Sequence, residues 1–264
     1  MLRTDESIPN VTARILNRLY GLDTPRERPD TIALVCGCRH SGTTLIARIL
    51  GTHTEVHSVP DEGKIFKVRR PLLSRRRLRA FLTAAAASRR RVALEKTPRS
   101  IYALPLAFDI RPDLRVVIPV RDGRDVVTSC LTRGIPWDDI SVNWTRSAEI
   151  ADRWAEDPRV LVYRHEDLTR DPETLVSRVC AHLGLDYSAE LLAYHRRPRF
   201  WFGQTELREG DGSNVEEHRA LRNWQVNQPI HDTSGKWKTR LPAEYHDRFE
   251  QGALGAMMRR FGYV

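Results

Sequence analysis

Short apolar runs alternate along the chain with longer stretches of helical periodicity. TIALVC (31–36), RVALEK (91–96), LRVVIPV (114–120) and RVLVYR (159–164) each read as a strand. LRVVIPV is nearly continuous in β-branched residues, as expected for a central parallel strand buried on both faces. Between the runs lie helical patterns: TLIARILGTH after a Gly/Ser/Thr loop, RRPLLSRRRLRAFLTAAAASRRR, and RDGRDVVTSCLTRG, a turn into a helix that stops at Gly134. Residues 139–155 also read as helix. DPETLVSRVCAHLGL opens on an Asp N-cap with Pro behind it and ends at Gly184. A last helix is expected near 242–260, and the polar, Gly-containing stretch 203–228 predicts a mobile loop or lid. Strands alternating with helices give an α/β fold with a mostly parallel central sheet and helices on both faces. No linker-like stretch divides the chain, so a single domain spanning 1–264 is expected.

Composition narrows this picture. A hydrophobic fraction of 41% supplies a core, and no run of about 18 apolar residues predicts a membrane span. The N-terminal MLRTDESIPNVTARILNRLYGL carries charges throughout and lacks the apolar stretch of a signal peptide. Cys36, Cys38, Cys130 and Cys180 lack metal-site spacing and read as reduced, buried thiols, which suits a cytoplasmic location. The formal charge is +9, and only five of the 43 basic residues are lysines. Such a balance suits nucleic acid, an anionic lipid surface or a small, highly charged nucleotide.

Motifs choose among these. Gly37-Cys-Arg-His-Ser-Gly42-Thr43-Thr44 sits between a strand and a helix with the spacing of a Walker A loop, but Thr43 stands where the lysine belongs. Backbone N–H groups of such a loop, and the helix N-terminus behind it, hold an anion whatever the side chains. Without the lysine, and with no apolar run ending in a Walker B aspartate, the loop suits a group less charged than a triphosphate. The fold expected is therefore P-loop-type, with positive charge moved upstream to Arg39 and His40. A second anion site is predicted in RDGRDVVTS (121–129). Arg121 comes directly after the central strand at its carboxyl end, where open α/β sheets bind ligands. Ser129 and Arg133, four residues apart, share a helix face. Two arginines and a hydroxyl make a phosphate clamp.

HSGTTL (40–45), EKTP (95–98), RDGRDVVTS (121–129), YRHEDL (163–168), DPETL…HLGL and SGKW (234–237) run through most of the chain in a consistent order. In that order they resemble the sulfotransferases that use 3′-phosphoadenosine 5′-phosphosulfate (PAPS), nearest in pattern to the bacterial and tyrosylprotein branch. The resemblance implies that Arg39, His40, Ser41, Gly42, Thr43 and Thr44 hold the 5′-phosphosulfate. It implies that Arg121 and Ser129, with Arg133, hold the 3′-phosphate, and that Lys236 and Trp237 close over the nucleotide. The family carries Arg or Lys immediately before Ser-Gly-Thr. Here that residue is His40, leaving its role to His40 itself or to Arg39.

The expected chemistry is in-line sulfuryl transfer without a metal, because the group in transit carries less charge than a terminal phosphoryl. Lys96, aided by His40 or Arg39, is the candidate for stabilising the departing phosphate. The resemblance implies that an acidic residue shortly after the first helix, in HTEVHSVPDEGKIF (53–66), takes the acceptor's proton. Glu62 matches best, with Asp61 as its neighbour to exclude. The acceptor, a small molecule, glycan or peptide with a hydroxyl or amine, is not legible. Two other readings compete. A small-molecule kinase would need a lysine at position 43. A basic polyanion-binding protein would use the arginine runs at 69–79 and 89–91, which read as solvated helix faces. Those runs lack interleaved aromatics, so no nucleic-acid partner is expected. Glu166 and Asp167 read as structural, tying the strand 159–164 to its loops.

Overall fold

The computed structural model describes residues 10–20 and 29–264. Five parallel strands form one sheet: β1 (Thr31–Val35), β2 (Val56–Ser58), β3 (Val92–Lys96), β4 (Arg115–Val120) and β5 (Val160–Arg164), in the order β2-β3-β1-β4-β5. Eleven α-helices are described. The first six are α1 (Asn10–Leu19), α2 (Thr43–Leu50), α3 (Pro71–Ala87), α4 (Leu104–Ile110), α5 (Gly123–Leu131) and α6 (Trp137–Trp154). The rest are α7 (His165–Arg170), α8 (Pro172–Leu183), α9 (Val215–Gln225), α10 (Trp237–Arg240) and α11 (Gly252–Arg260). The mostly parallel α/β architecture expected from the apolar runs is the one observed.

Two cores lie against the two sheet faces. Leu34, Val116 and Ile118 pack with residues of α3, α5, α6 and α11, whereas Ala33, Val35 and Val117 pack with α2 and α8. Successive strand residues thus serve opposite faces, and Val116, Val117 and Ile118 are fully buried. Asp171 accepts from the Thr174 N–H at the start of α8, and Gly184 takes the left-handed conformation that ends it. All four cysteines are free and buried. No helix among the described residues is long and apolar enough to cross a membrane.

Three expectations change. Residues 215–225, expected within a loop, form α9: Asn214 caps it by accepting from Glu216 and Glu217 N–H groups, with two glutamates in the first turn. The final helix begins only at Gly252, after two 3-10 turns at Ala243–Tyr245 and Asp247–Glu250. The arginine run of α3 is not wholly solvated. Arg75 is buried and donates from Nε to Asn17 Oδ1 at 3.0 Å, joining α3 to α1.

Candidate active site

Parallel strands bring their carboxyl ends to one edge of the sheet, so the loops leaving those ends meet there. Val35 of β1 pairs with Lys96 of β3, and Val120 of β4 with Arg164 of β5. The 37–42 loop, Lys96, Arg121 and His165 therefore share that edge. The loop is held from below: Cys36 N–H donates to Val117 O and Gly37 N–H to Pro98 O. Gly42 precedes α2 at φ +93°, a conformation side chains rarely adopt. A Cβ there would lie 2.3 Å from His165 Nδ1, so the imidazole packs directly on the glycine. No side chain caps α2, which leaves its first N–H groups available to an anion. Ser41 Oγ is buried beside them without a hydrogen-bond partner.

The clamp residues converge on this loop. Arg133 Nη1 donates to Ser129 Oγ at 2.7 Å and lies 2.9 Å from His40 Nδ1. Arg121 reaches His40 O at 3.3 Å and Thr233 O at 3.0 Å. Burial, and then the guanidiniums of Arg133, Arg222, Arg39 and Arg121, hold the His40 imidazole well below its usual pKa, so it is neutral at pH 7. Arg39 itself is exposed. Asp125 fixes the SGKW segment, its carboxylate accepting from Gly235 N–H at 2.8 Å and Trp237 N–H at 3.0 Å. Arg124 stacks on the Trp237 ring, 4.1 Å from its centroid. Burial, then the charges of Arg240 and Arg121, lower the Lys236 pKa.

Lys96 is 2% exposed, and its Nζ has no hydrogen-bond partner. The nearest carboxylate is Glu62, whose Oε1 lies 3.7 Å away. Nζ also sits 5.4 Å from the Trp201 ring and 5.9 Å from Phe202. Burial pulls the Lys96 pKa below its ordinary value, against the attraction of Glu62. Asp61 is engaged elsewhere, accepting from Phe202 N–H at 3.2 Å. Glu166 accepts from Asp122 N–H at 3.0 Å and from Tyr263 Oη–H at 2.9 Å, a tie between loops; Asp167 faces outward near Arg170.

Two residues at this edge were not anticipated from the sequence. Glu95 is buried, accepts from Thr97 Oγ1–H, and has its pKa pushed up to about 7 by burial. Its place in EKTP was the available signal. Arg222, on α9, stacks 4.5 Å over the Phe202 ring, and its pKa is lowered by burial first and then by the Arg133 charge, against the attraction of Glu62. The Asn214 cap with Glu216 and Glu217 behind it could have exposed that helix. Among the described residues, no group of three or more His, Cys, Asp or Glu side chains is arranged to hold a metal.

Known proteins resemble this chain in sequence and in fold. A model described as "Sulfotransferase family" matches residues 67–189, which include Lys96, Arg121, Ser129 and Arg133 but not the 37–44 loop. A Caenorhabditis briggsae protein named for protein-tyrosine sulfotransferase activity is 23% identical over 202 residues, covering 63% of this chain and 70% of that protein. The sulfotransferase domain of the Synechococcus PCC 7002 olefin synthase superposes with a TM-score of 0.64 at 18% identity, covering 91% of this chain and 98% of that one. A mouse sulfotransferase complexed with PAP gives 0.56 at 15% identity, covering 94% of each chain. At these identities the structural likeness speaks for the fold.

Proposed function

We propose that the chain is a member of the sulfotransferase family, and that it transfers the sulfuryl group of PAPS to a hydroxyl or amine of its acceptor, by in-line displacement without a metal. The observation that carries the proposal is Lys96. A buried ammonium with no hydrogen-bond acceptor, beside an uncapped helix N-terminus, is a costly arrangement that an incoming anion relieves.

Each group has its own task in this reaction. The N–H groups of the 41–44 turn, with the Ser41 and Thr44 hydroxyls, hold the 5′-phosphosulfate. Arg121, Ser129 and Arg133 hold the 3′-phosphate, whose two negative charges match the two guanidiniums. Lys236 and Trp237 close over the nucleotide from the Asp125-anchored segment. Glu62 takes the proton from the acceptor as its oxygen or nitrogen bonds to sulfur, and the sulfur–oxygen bond to the 5′-phosphate breaks. Lys96 neutralises the charge that collects on that phosphate, an interaction that strengthens in the transition state. The engagement of Asp61 with Phe202 favours Glu62 over Asp61 as the base.

The named activity of the Caenorhabditis briggsae relative makes tyrosyl peptides the first acceptors to test. The experiment incubates the protein with sulfur-35-labelled PAPS, a tyrosyl-peptide panel and a metabolite extract, in EDTA. The expected result is a labelled product with one equivalent of the 3′,5′-bisphosphate released. Phosphate transfer from ATP, with PAPS untouched, would replace this reading with a kinase.

A further inference from the structure

The 5′ loop is short of positive charge where the sulfuryl group would sit. His40 stands at the loop position next to Ser41, in the left-handed region at φ +63°. Its ring nitrogens face Arg133 Nη1, at 2.9 and 3.2 Å, so the ring presents lone-pair density to a guanidinium. A ring arranged in this way carries no charge of its own to offer an anion. Arg39, one residue earlier, is exposed to solvent.

Arg222 comes to this end of the molecule on α9. It is half-buried, and no hydrogen bond or ion pair to its guanidinium occurs among the described residues. Its guanidinium lies 4.5 Å over the Phe202 ring, the same ring that lies 5.9 Å from Lys96 Nζ. Burial lowers its pKa first; of the charges, Arg133 repels it most, Glu62 attracts it, and Arg39 repels it again. Glu62 already faces Lys96. Like charges gathered around a partly desolvated space, with one acid among them, await an anion from outside.

Arg222 is also held in place. Its neighbour Asn223 is fully buried, accepts from Trp201 N–H at 2.8 Å and donates to Glu206 O at 3.0 Å. Asn227, one turn on, accepts from Arg199 N–H at 2.9 Å. Helix α9 is thereby clamped to the 199–206 strap, and the strap to Asp61 through Phe202 N–H. The guanidinium therefore rests on a fixed support, the condition under which a charge stabilises a transition state without reorganising.

We infer that Arg222 is a catalytic residue that lays its guanidinium on the sulfuryl oxygens, supplying from α9 the positive charge that the 5′ loop lacks at His40. This role presupposes the sulfuryl-transfer reading of the site. It gives α9 a chemical task beyond covering the site, and it links Phe202, the stacking surface for Arg222, to the same function.

The test compares PAPS with the 3′,5′-bisphosphate, which lacks only the sulfuryl group, by titration calorimetry on the full chain. Arg222→Met keeps a stem to pack on Phe202. It should weaken PAPS by about 10-fold, the scale of one charge-assisted hydrogen bond, and leave bisphosphate affinity within about 3-fold. Arg222→Lys should recover most of the loss. With a tyrosyl-peptide or phenol acceptor, Arg222→Met should lower kcat by about 10²–10³-fold, with added guanidinium ion restoring part of the rate. Equal weakening of both nucleotides, in either variant, would make Arg222 a nucleotide clamp or a packing residue and overturn the inference. An unchanged PAPS affinity and rate would do the same. A wild-type protein that binds neither nucleotide would overturn the sulfuryl-transfer reading itself, and the inference with it.

Discussion

Replacing Lys96 with Met separates what the site does for catalysis from what it does for folding. The substitution keeps a long stem of similar volume and removes the charge. No hydrogen bond is lost, because Nζ makes none. The attraction lost is to Glu62 at 3.7 Å, whose side chain is 31% exposed and so remains hydrated. Such a half-screened pair is worth at most about 1 kcal/mol. Against it stands the burial cost that pulls the Lys96 pKa down from its ordinary 10.5. Burial outweighs the attraction, so losing the charge should leave stability unchanged or raise it, by roughly 1 kcal/mol or less, about 2–4 °C in Tm for a chain of this size. Because the folded pKa lies below the unfolded one, the ionised lysine costs stability at all pH values below its folded pKa. That cost fades as pH rises toward 10.5, and the methionine variant should lack this alkaline gain. Turnover should behave quite differently. Losing one preorganised transition-state cation costs about 2.7–4 kcal/mol, or 10²–10³-fold in kcat. Differential scanning fluorimetry across pH and a labelled-PAPS rate assay read the two quantities. A variant melting more than about 10 °C lower, well beyond the shift expected from the lost charge, would make Lys96 a structural residue. One turning over near the wild-type rate would remove it from the chemistry.

Three further outcomes are expected. Asp125→Ala frees the Gly235 and Trp237 N–H groups and should weaken the bisphosphate by about 10–100-fold, at about 1.5–3 kcal/mol for a hydrogen bond to a charged group; unchanged affinity in calorimetry would detach SGKW from nucleotide binding. His165, whose pKa is lowered to about 3 by burial and then Arg121, resists the proton that its unfolded form takes near 6.5, so its stability is full above pH 6.5 and is lost as pH falls toward 3. Glu95, raised to about 7, acts oppositely between about pH 4.5 and 7, so His165→Gln should flatten the fall in Tm most clearly below pH 4.5; an unaltered slope would contradict the assignment. Gly42→Ala places a Cβ 2.3 Å from His165 Nδ1 and should cost about 1–3 kcal/mol from backbone strain, part of it recovered by His165→Ala in a double-mutant cycle; additive unfolding free energies would show that the two residues do not press on each other.

The central strands were legible because burial on both sheet faces writes itself as β-branched runs, as in LRVVIPV. The loop between β1 and α2 was legible because a run of glycines and hydroxyls there separates an apolar strand from a helical pattern. Edge strand β2 was not, since three residues, Val56–Ser58, are too short for a period to show. Helix α9 was hidden by its polarity: among its residues only Ala220 and Asn223 are buried, so it carries hardly any apolar stripe. Proximity was the harder loss. Glu62 and Lys96 meet across an intervening helix, and Arg222 reaches the site from far along the chain. Burial first, and then arginines that include Arg133 and Arg222 from distant segments, lower the His40 pKa, which no local pattern could reveal. Arg75 looked like one more solvated charge in a basic run, yet its partner Asn17 lies on another helix.

The most direct measurement is calorimetric titration of the protein, in EDTA, with the nucleotide 3′,5′-bisphosphate, 5′-AMP and ATP. Arg121, Ser129 and Arg133 gather at one point beside the uncapped start of α2. Metal-free binding of the bisphosphate should therefore be at least about 10-fold tighter than that of AMP, since the 3′-phosphate gains one or more charge-assisted hydrogen bonds. ATP should bind more weakly still, and Arg121→Ala should erase the difference between bisphosphate and AMP. Equal affinity for AMP and the bisphosphate, or tight binding of ATP that appears only with Mg²⁺, would contradict a PAPS-dependent site.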